Sequence, residues 1–449
     1  MSTEWLAVLM FIGIFITLSF GYPIGPTFAG TAMIFVLIGL SFGAFHPELL
    51  RILPNRWFGT MSDYTYLAIP YFIYMGAILE KSGLSEDLLE TVGILFGRIP
   101  GGLALGVILV GALLGAATGV VAASVIAMGL ISLPVMLRFG YDKGLATGAI
   151  ASAGTITQLI PPATVLVVLA DQLGIPLGDL FIGSIIPSII LTGAYGLYCV
   201  GVGIFQPHKA PPMPAEALAM RGRILALRIL KALVPTLGLI VAVLGSIYAG
   251  FATPSEAGAV GSLGGILLAA AYGKLNWALL RDAAMDTLRI TSLVILILFG
   301  STLFSLVFDG LGGTKLMVRL LTGLPGGYWS FLIFSMVAVF LLGIFLEFIE
   351  ICFIVMPIFV PVCRELGIDL AWFGILMDIN LLTAFLSPPV GFTLFYLSSI
   401  APPEVKIEDI FRGVVPFMIV TVVVLIIVMI WPETVTWLIE LSEARRLSG

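Results

Sequence analysis

Charge is what this sequence has least of. Only 10% of its 449 residues are Asp, Glu, Lys or Arg, against about 25% in ordinary soluble domains. Hydrophobic residues make up 60%, more apolar surface than a soluble core can hide. No charged residue stands between Arg98 and Arg138, and none between Arg412 and Glu433. The second gap, GVVPFMIVTVVVLIIVMIWP, is long enough to cross a hydrocarbon core of about 30 Å as one helix. Histidine occurs only at His46 and His208, each beside a proline, which excludes a histidine-based metal centre. The three cysteines, Cys199, Cys352 and Cys363, form no CxxC pair and sit in apolar context, so packing is their expected role. Catalytic signatures are missing too: there is no HExxH, GxSxG, Walker lysine motif, or GxGxxG followed by an acid. Such a chain is not expected to be an enzyme, and it cannot by itself power transport with ATP. An ion gradient is the simplest drive. No nucleic-acid partner is expected.

What is present reads as an all-α polytopic membrane protein. Segments in lipid must satisfy their backbone groups internally, and the short alternating strands of a membrane barrel are not seen. The N-terminal stretch carries Glu4 and no basic residue before its apolar run, so it reads as an uncleaved span rather than a signal peptide. No Lys or Arg precedes Arg51, whereas Lys209, Arg221, Arg223, Arg228 and Lys231 cluster. The positive-inside rule puts that cluster in the cytoplasm.

The chain is written twice. LPVMLRFGYDKGLATGAIASAGTITQLIPPA begins at Leu133, and VPVCRELGIDLAWFGILMDINLLTAFLSPPV begins at Val360. Pro134, Gly140, Asp142, Pro161 and Pro162 recur, at one fixed spacing without gaps, as Pro361, Gly367, Asp369, Pro388 and Pro389. Gly83-Leu84 returns as Gly310-Leu311 at the same spacing. The expected organisation is a first repeat over 1–205, a cytoplasmic linker over 206–223 and a second repeat over 224–449. In a membrane, two homologous halves point to a transporter. An odd number of crossings per half would invert them.

Each half holds a matching defect. Pro161-Pro162 breaks one uncharged helical run and Pro388-Pro389 breaks the other. Two successive prolines remove two backbone donors and disfavour helix just before them. Irregular backbone at membrane depth survives only where protein buries it or where it lines a cavity. Freed carbonyls there are natural cation ligands; the other reading is a pair of packing kinks. Ahead of each break lies a second irregularity. The uncharged run from Ile99 to Leu137 would extend about 58 Å as one helix, so it must turn back, with Gly115-Ala116-Ala117-Thr118-Gly119 as the turn. That makes a re-entrant hairpin, and Gly343 to Glu350 is its counterpart. Small residues at the first turn also suit helix contacts.

At these residues the chain resembles the large permease subunit (DctM type) of tripartite ATP-independent periplasmic (TRAP) transporters, over nearly its whole length. The carriers of the likeness are GFATPSEAGAVG from Gly250, LPVMLRFGYD from Leu133, QLIPPATVLVVLADQLGIPLGDLF from Gln158 and LGIDLAWFGILMDINLLTAFLSPPVGFTLFYL from Leu366. The resemblance implies a sodium-driven elevator carrier in the bacterial inner membrane, with inverted repeats. A periplasmic binding protein would deliver an organic acid, and a small membrane subunit would complete the complex. No cofactor is implied beyond sodium as coupling ion. By resemblance, one sodium site would use Gly115 and Thr118 with Thr157, Ile160 and Pro161. The other would use Gly343 with Ala384, Ser387 and Val390. Ser387 stands where the family often has threonine; Thr157 and Ala384 stand where glycine is common. The second hairpin reads LEFIEICFIVMP rather than the usual Asp-containing stretch. That resembles a subgroup some of whose relatives carry 2-oxo acids or lactate, so dicarboxylates and 2-oxo acids are both expected cargoes.

Acids in the membrane each need a reason, because a carboxylate at the bilayer centre costs roughly 2.5–3.5 kcal/mol or more. Glu347 and Glu350 flank the second turn and Asp378 precedes the second break. With Pro162, Pro388 and Pro389 they are the candidates for the substrate region; structural hydrogen bonding is the alternative. Glu256, Asp142 and Asp369 read as helix caps. Three rival functions remain: a self-sufficient carboxylate carrier or cation exchanger, a non-transporting assembly subunit, and an intramembrane enzyme.

Overall fold

The computed structural model describes residues 4–118, 121–213 and 223–448. Every regular element among them is helical. The first half holds α1 (Trp5–Leu18), α2 (Ile24–Ser41), α3 (Leu53–Ser62), α4 (Ala68–Lys81), α5 (Leu84–Phe96), α6 (Gly102–Thr118), α7 (Val121–Arg138), α8 (Lys143–Thr155), α9 (Thr164–Leu173) and α10 (Leu177–Phe205). The second holds α11 (Arg223–Tyr248), α12 (Pro254–Ala271), α13 (Trp277–Gly310), α14 (Gly313–Thr322), α15 (Tyr328–Gly343), α16 (Phe348–Leu366), α17 (Leu370–Phe385), α18 (Phe392–Ile400), α19 (Ile407–Ile430) and α20 (Glu433–Ser448). Among the described residues five helices are long and apolar enough to cross a membrane: α2, α7, α10, α13 and α19. Leu37, Leu130, Leu197 and Ile419 point outward from such helices, as lipid-facing side chains do.

The repeated residues explain the repeated helix ends. Gly140 and Gly367 both have positive φ, 80° and 68°, a conformation that costs glycine nothing. Each closes a Schellman-type end. Tyr141 N–H reaches the Met136 carbonyl at 3.0 Å, and Ile368 N–H reaches that of Cys363 at 2.8 Å. Two residues past each glycine an aspartate starts the next helix. Asp142 accepts from Leu145 N–H at 3.0 Å and Asp369 from Trp372 N–H at 2.7 Å. Glu256 forms a capping box with Thr253, whose N–H it accepts at 2.8 Å. The three cysteines are buried and unpaired.

Packing is exchanged reciprocally between the halves. α2 lies along α13 and α12 along α4; α7 packs on α18 and α16 on α9. Glycines allow the closest crossings, as small residues do in membranes. A Cβ on Gly413 would sit 2.0 Å from the Gly144 carbonyl oxygen, which seats α19 on α8.

The two hairpins open on opposite faces. Asp142 N–H donates to the Lys209 carbonyl, Gly101 N–H to that of Ala210, and Met213 N–H to that of Gly97. The base of the α6–α7 hairpin therefore shares a face with the start of the linker. The α8–α9 segment leaves that face and ends at Gly174, where a Cβ would lie 3.3 Å from the Arg364 guanidinium at the base of the α15–α16 hairpin. The repeats are inverted. Residues 214–222 of the expected linker, with Arg221, and Gly119 of the expected first turn lie outside the described residues.

Candidate functional site

Both proline pairs interrupt helix. α8 ends at Thr155, a short 3-10 turn covers Ile156–Gln158, and α9 starts only at Thr164. α17 ends at Phe385 and α18 starts at Phe392. The Pro161-Pro162 and Pro388-Pro389 bonds are both cis. The two breaks differ in surroundings: Pro161 and Pro162 are buried, Pro388 is half-buried and Pro389 exposed.

Each hairpin end meets the broken helix of its own half. A Cβ on Gly115 would fall 2.6 Å from Thr157 Cα, and one on Gly343 would fall 2.7 Å from Ala384 Cβ. Only a glycine hydrogen fits either gap. The structure thus brings Gly115 to Thr157 and Gly343 to Ala384, repeat-related pairs. Thr118 is the last residue of α6; its side chain lies outside the described residues. Ile160 and Val390 are half-buried in the broken segments. The buried Thr157 hydroxyl donates to the Gly154 carbonyl at 2.7 Å, and Ser387 donates to that of Thr383 at 2.8 Å. A hydroxyl that spends its proton on a carbonyl still offers oxygen lone pairs to a cation.

A cavity of about 130 Å³ walled by both halves reaches Gln158 and Phe385, the residues that follow Thr157 and Ala384 of the two junctions. Val121 and Ala122 come from the start of α7, Gln158 and Thr164 from the first break, and Glu347 and Phe348 from the second hairpin. Phe385, Phe392 and Tyr396 add aromatic walls from the second break, while Ile290 and Leu293 close it from α13. Gln158 is buried, and neither its amide oxygen nor its nitrogen has a protein partner. Its amide is thus an open donor and an open acceptor at the cavity wall. A mostly apolar cavity with a few convergent polar groups is the general form of a small-molecule site.

Of the acids singled out in the sequence, only Glu347 lines this cavity. Glu350 accepts from Glu347 N–H at 3.3 Å and so caps the start of α16. Asp378 is fully buried within α17 and neither carboxylate oxygen has a partner, but it is not part of the wall. Pro162, Pro388 and Pro389 shape the breaks without lining the cavity. Sequence reasoning missed Gln158, Thr164 and Tyr396. For Gln158 the signal was available, as an amide in an apolar run three residues before a double proline.

The match to known proteins follows this geometry. Residues 11–434 fit the model of the tripartite ATP-independent periplasmic transporter, DctM component. The chain belongs to that family. It is a TRAP large permease subunit, a multi-pass protein of the bacterial inner membrane, and not an enzyme. It is 32% identical over 385 residues to the C4-dicarboxylate TRAP transporter large permease protein of Pseudomonas aeruginosa, covering 86% of this chain and 88% of that one. The 2,3-diketo-L-gulonate large permease protein of Escherichia coli is 26% identical, with 96% and 98% covered. The sialic acid large permease protein SiaM of Vibrio cholerae is 25% identical, with 94% and 95% covered. Among solved structures, the Alcanivorax borkumensis YdaH transporter superposes with a TM-score of 0.66 at 14% identity, covering 92% of this chain and 98% of that one. The Neisseria gonorrhoeae protein MtrF follows at 0.54 and 13%, with 86% and 84% covered. These two likenesses concern the fold alone.

Proposed function

We propose that this TRAP large permease subunit imports an organic acid on an inward sodium gradient, by an elevator movement. The observation that carries the reading is the meeting of each hairpin end with the broken helix of its own half, where the next residue of each broken helix, Gln158 or Phe385, lines one shared cavity. Broken segments expose carbonyls and half-helix ends, which suit sodium. The first sodium site would draw on Gly115, Thr118, Thr157, Ile160 and Pro161. The second would draw on Gly343, Ala384, Ser387 and Val390. Gln158 and Glu347 would face the cargo. The relatives bear the names of organic anions, namely C4-dicarboxylates, 2,3-diketo-L-gulonate and sialic acid, which favours an acid as cargo here.

The moving body would be α6–α9 with α15–α18, sliding against a scaffold containing α2, α4, α12 and α13. A periplasmic binding protein would deliver the cargo to the face opposite the linker, which would lie in the cytoplasm. A small membrane subunit would brace the scaffold. The isethionate permease of Oleidesulfovibrio alaskensis is matched over only 57% of its length, which leaves room there for a fused second component.

The test is uptake of labelled organic acids into proteoliposomes, with the small subunit and the binding protein each added or withheld. Uptake that needs both is expected. Uptake by this chain alone would make it a self-sufficient carrier and overturn the tripartite reading.

A further inference from the structure

The cargo cavity is not centred on the scaffold. α13 is uncharged from Ile290 to Phe308, about one hydrocarbon thickness. The two α13 residues on the cavity wall, Ile290 and Leu293, stand at the start of that run, roughly 10 Å from its centre at about 1.5 Å per residue. Early α13 lies near the linker face: its Asp286 pairs with Lys81 at the end of α4 at 2.8 Å, and α5, which follows, leads to Gly97, whose carbonyl accepts from Met213 N–H of the linker. The hairpins and broken helices are therefore displaced toward the linker.

The inverted repeat says where the same body rests after crossing. Gly310-Leu311 corresponds to Gly83-Leu84, and the same spacing carries Ile290–Leu293 onto residues 63–66. The counterpart of Leu293 is Tyr66. In this structure Tyr66 does not face the cargo cavity. It lies in the short turn Tyr64–Leu67 between α3 and α4, and its hydroxyl donates to Asp171 near the end of α9. Asp171 also accepts from Gln172 at 2.7 Å. Tyr66 thus ties the scaffold to the second half of a broken helix, a partner that would leave it if that helix slides toward the far face.

We propose that Tyr66 is a two-position residue of the scaffold: parked on Asp171 while the carrier body sits toward the linker, and part of the cargo-cavity wall when the body has crossed. In the second position its hydroxyl is released and offers a hydrogen bond to the carboxylate or an adjacent oxygen of the cargo. The inference rests on the elevator reading given above.

The test is a cross-link by a short, reducible bis-methanethiosulfonate between cysteines introduced in place of Tyr66 and Asp171, where the tyrosine ring now fills a gap too long for a direct disulfide, with a labelling arm on Tyr66→Cys alone. The native cysteines are all buried. Wild-type uptake is measured first in the same vesicles; its absence defeats the transport reading itself. Given that uptake, cross-linking the Tyr66→Cys, Asp171→Cys pair is expected to lower the uptake of that same variant by at least about tenfold, because one state is then held, and reductant restores it. In the labelling arm, the organic acid is expected to slow modification of the thiol introduced by Tyr66→Cys with a water-soluble maleimide. Uptake that continues with the cross-link closed, a pair that the reagent does not bridge in folded protein, or labelling indifferent to cargo would each overturn the proposal.

Discussion

Gly115 and Thr157 stand so close that a single methyl group cannot be placed between them: a Cβ on Gly115 would lie 2.6 Å from Thr157 Cα and 3.0 Å from its Cβ. The same relation holds between Gly343 and Ala384 in the second half. The first hairpin is thus fitted to its broken helix at the Thr157 backbone and the second at the Ala384 methyl group, and both fits depend on the absence of a side chain on the hairpin glycine.

Gly115→Ala and Gly343→Ala should each cost about 1–3 kcal/mol, the usual penalty of overpacking, and should impair uptake beyond what the stability loss explains. Gly193→Ala, with nothing within 4 Å of the added carbon, is the control and should be neutral or slightly stabilising. Thermal unfolding in detergent, beside uptake in vesicles, checks both. Equal tolerance at all three positions would remove the fitted junction from the account.

Gln158→Leu should separate stability from function. The buried amide has no protein partner, so replacing it with an apolar group of similar size should raise stability by about 1–3 kcal/mol, the cost of an unsatisfied buried group. Uptake should fall, because the open donor and acceptor at the cavity wall are gone. A variant that is less stable yet transports normally would mean that the amide serves packing.

Much of this was legible in the sequence because it rests on backbone chemistry. Two prolines in a row break a helix anywhere, and a Gly followed two residues later by Asp ends one helix and starts another. The second hairpin's turn is legible from Gly343 onward, and α15 ends at that residue. The roles of the acids were not legible, because they depend on what surrounds them. Glu347 and Glu350 stand three residues apart at the same turn, yet one lines the cavity and the other caps a helix. Pro162 and Pro389 are identical in local sequence role, yet one is buried and the other exposed, since the neighbours that cover them come from distant segments. Gln158 and Tyr396 meet in the cavity wall only through the pairing of the two halves.

Glu350→Ala should cost about 1 kcal/mol through loss of the cap on α16, with cargo affinity little changed. Glu347→Gln should leave stability nearly unchanged and alter uptake. The contrast is read by measuring unfolding midpoints and the cargo concentration for half-maximal uptake in both variants. A reversed pattern would exchange the roles assigned to the two acids.

Ser387→Ala removes a hydroxyl that donates to the Thr383 carbonyl at 2.8 Å and lies 3.2 Å from Met418 Sδ, and whose oxygen lone pairs remain available to a cation. The stability loss should be about 1 kcal/mol, while the sodium concentration for half-maximal uptake should rise several-fold. Sodium activation identical to wild type, in correctly inserted protein, would take Ser387 out of the second site.

The central claim is that sodium bound at the two hairpin junctions drives the cycle. Its most direct test is uptake into vesicles holding the complete complex under an inward sodium gradient, before and after addition of a sodium ionophore, with a proton gradient maintained throughout. Accumulation is expected to collapse when sodium equilibrates, although the proton gradient persists. Accumulation that survives the ionophore and vanishes only with the proton gradient would contradict the claim.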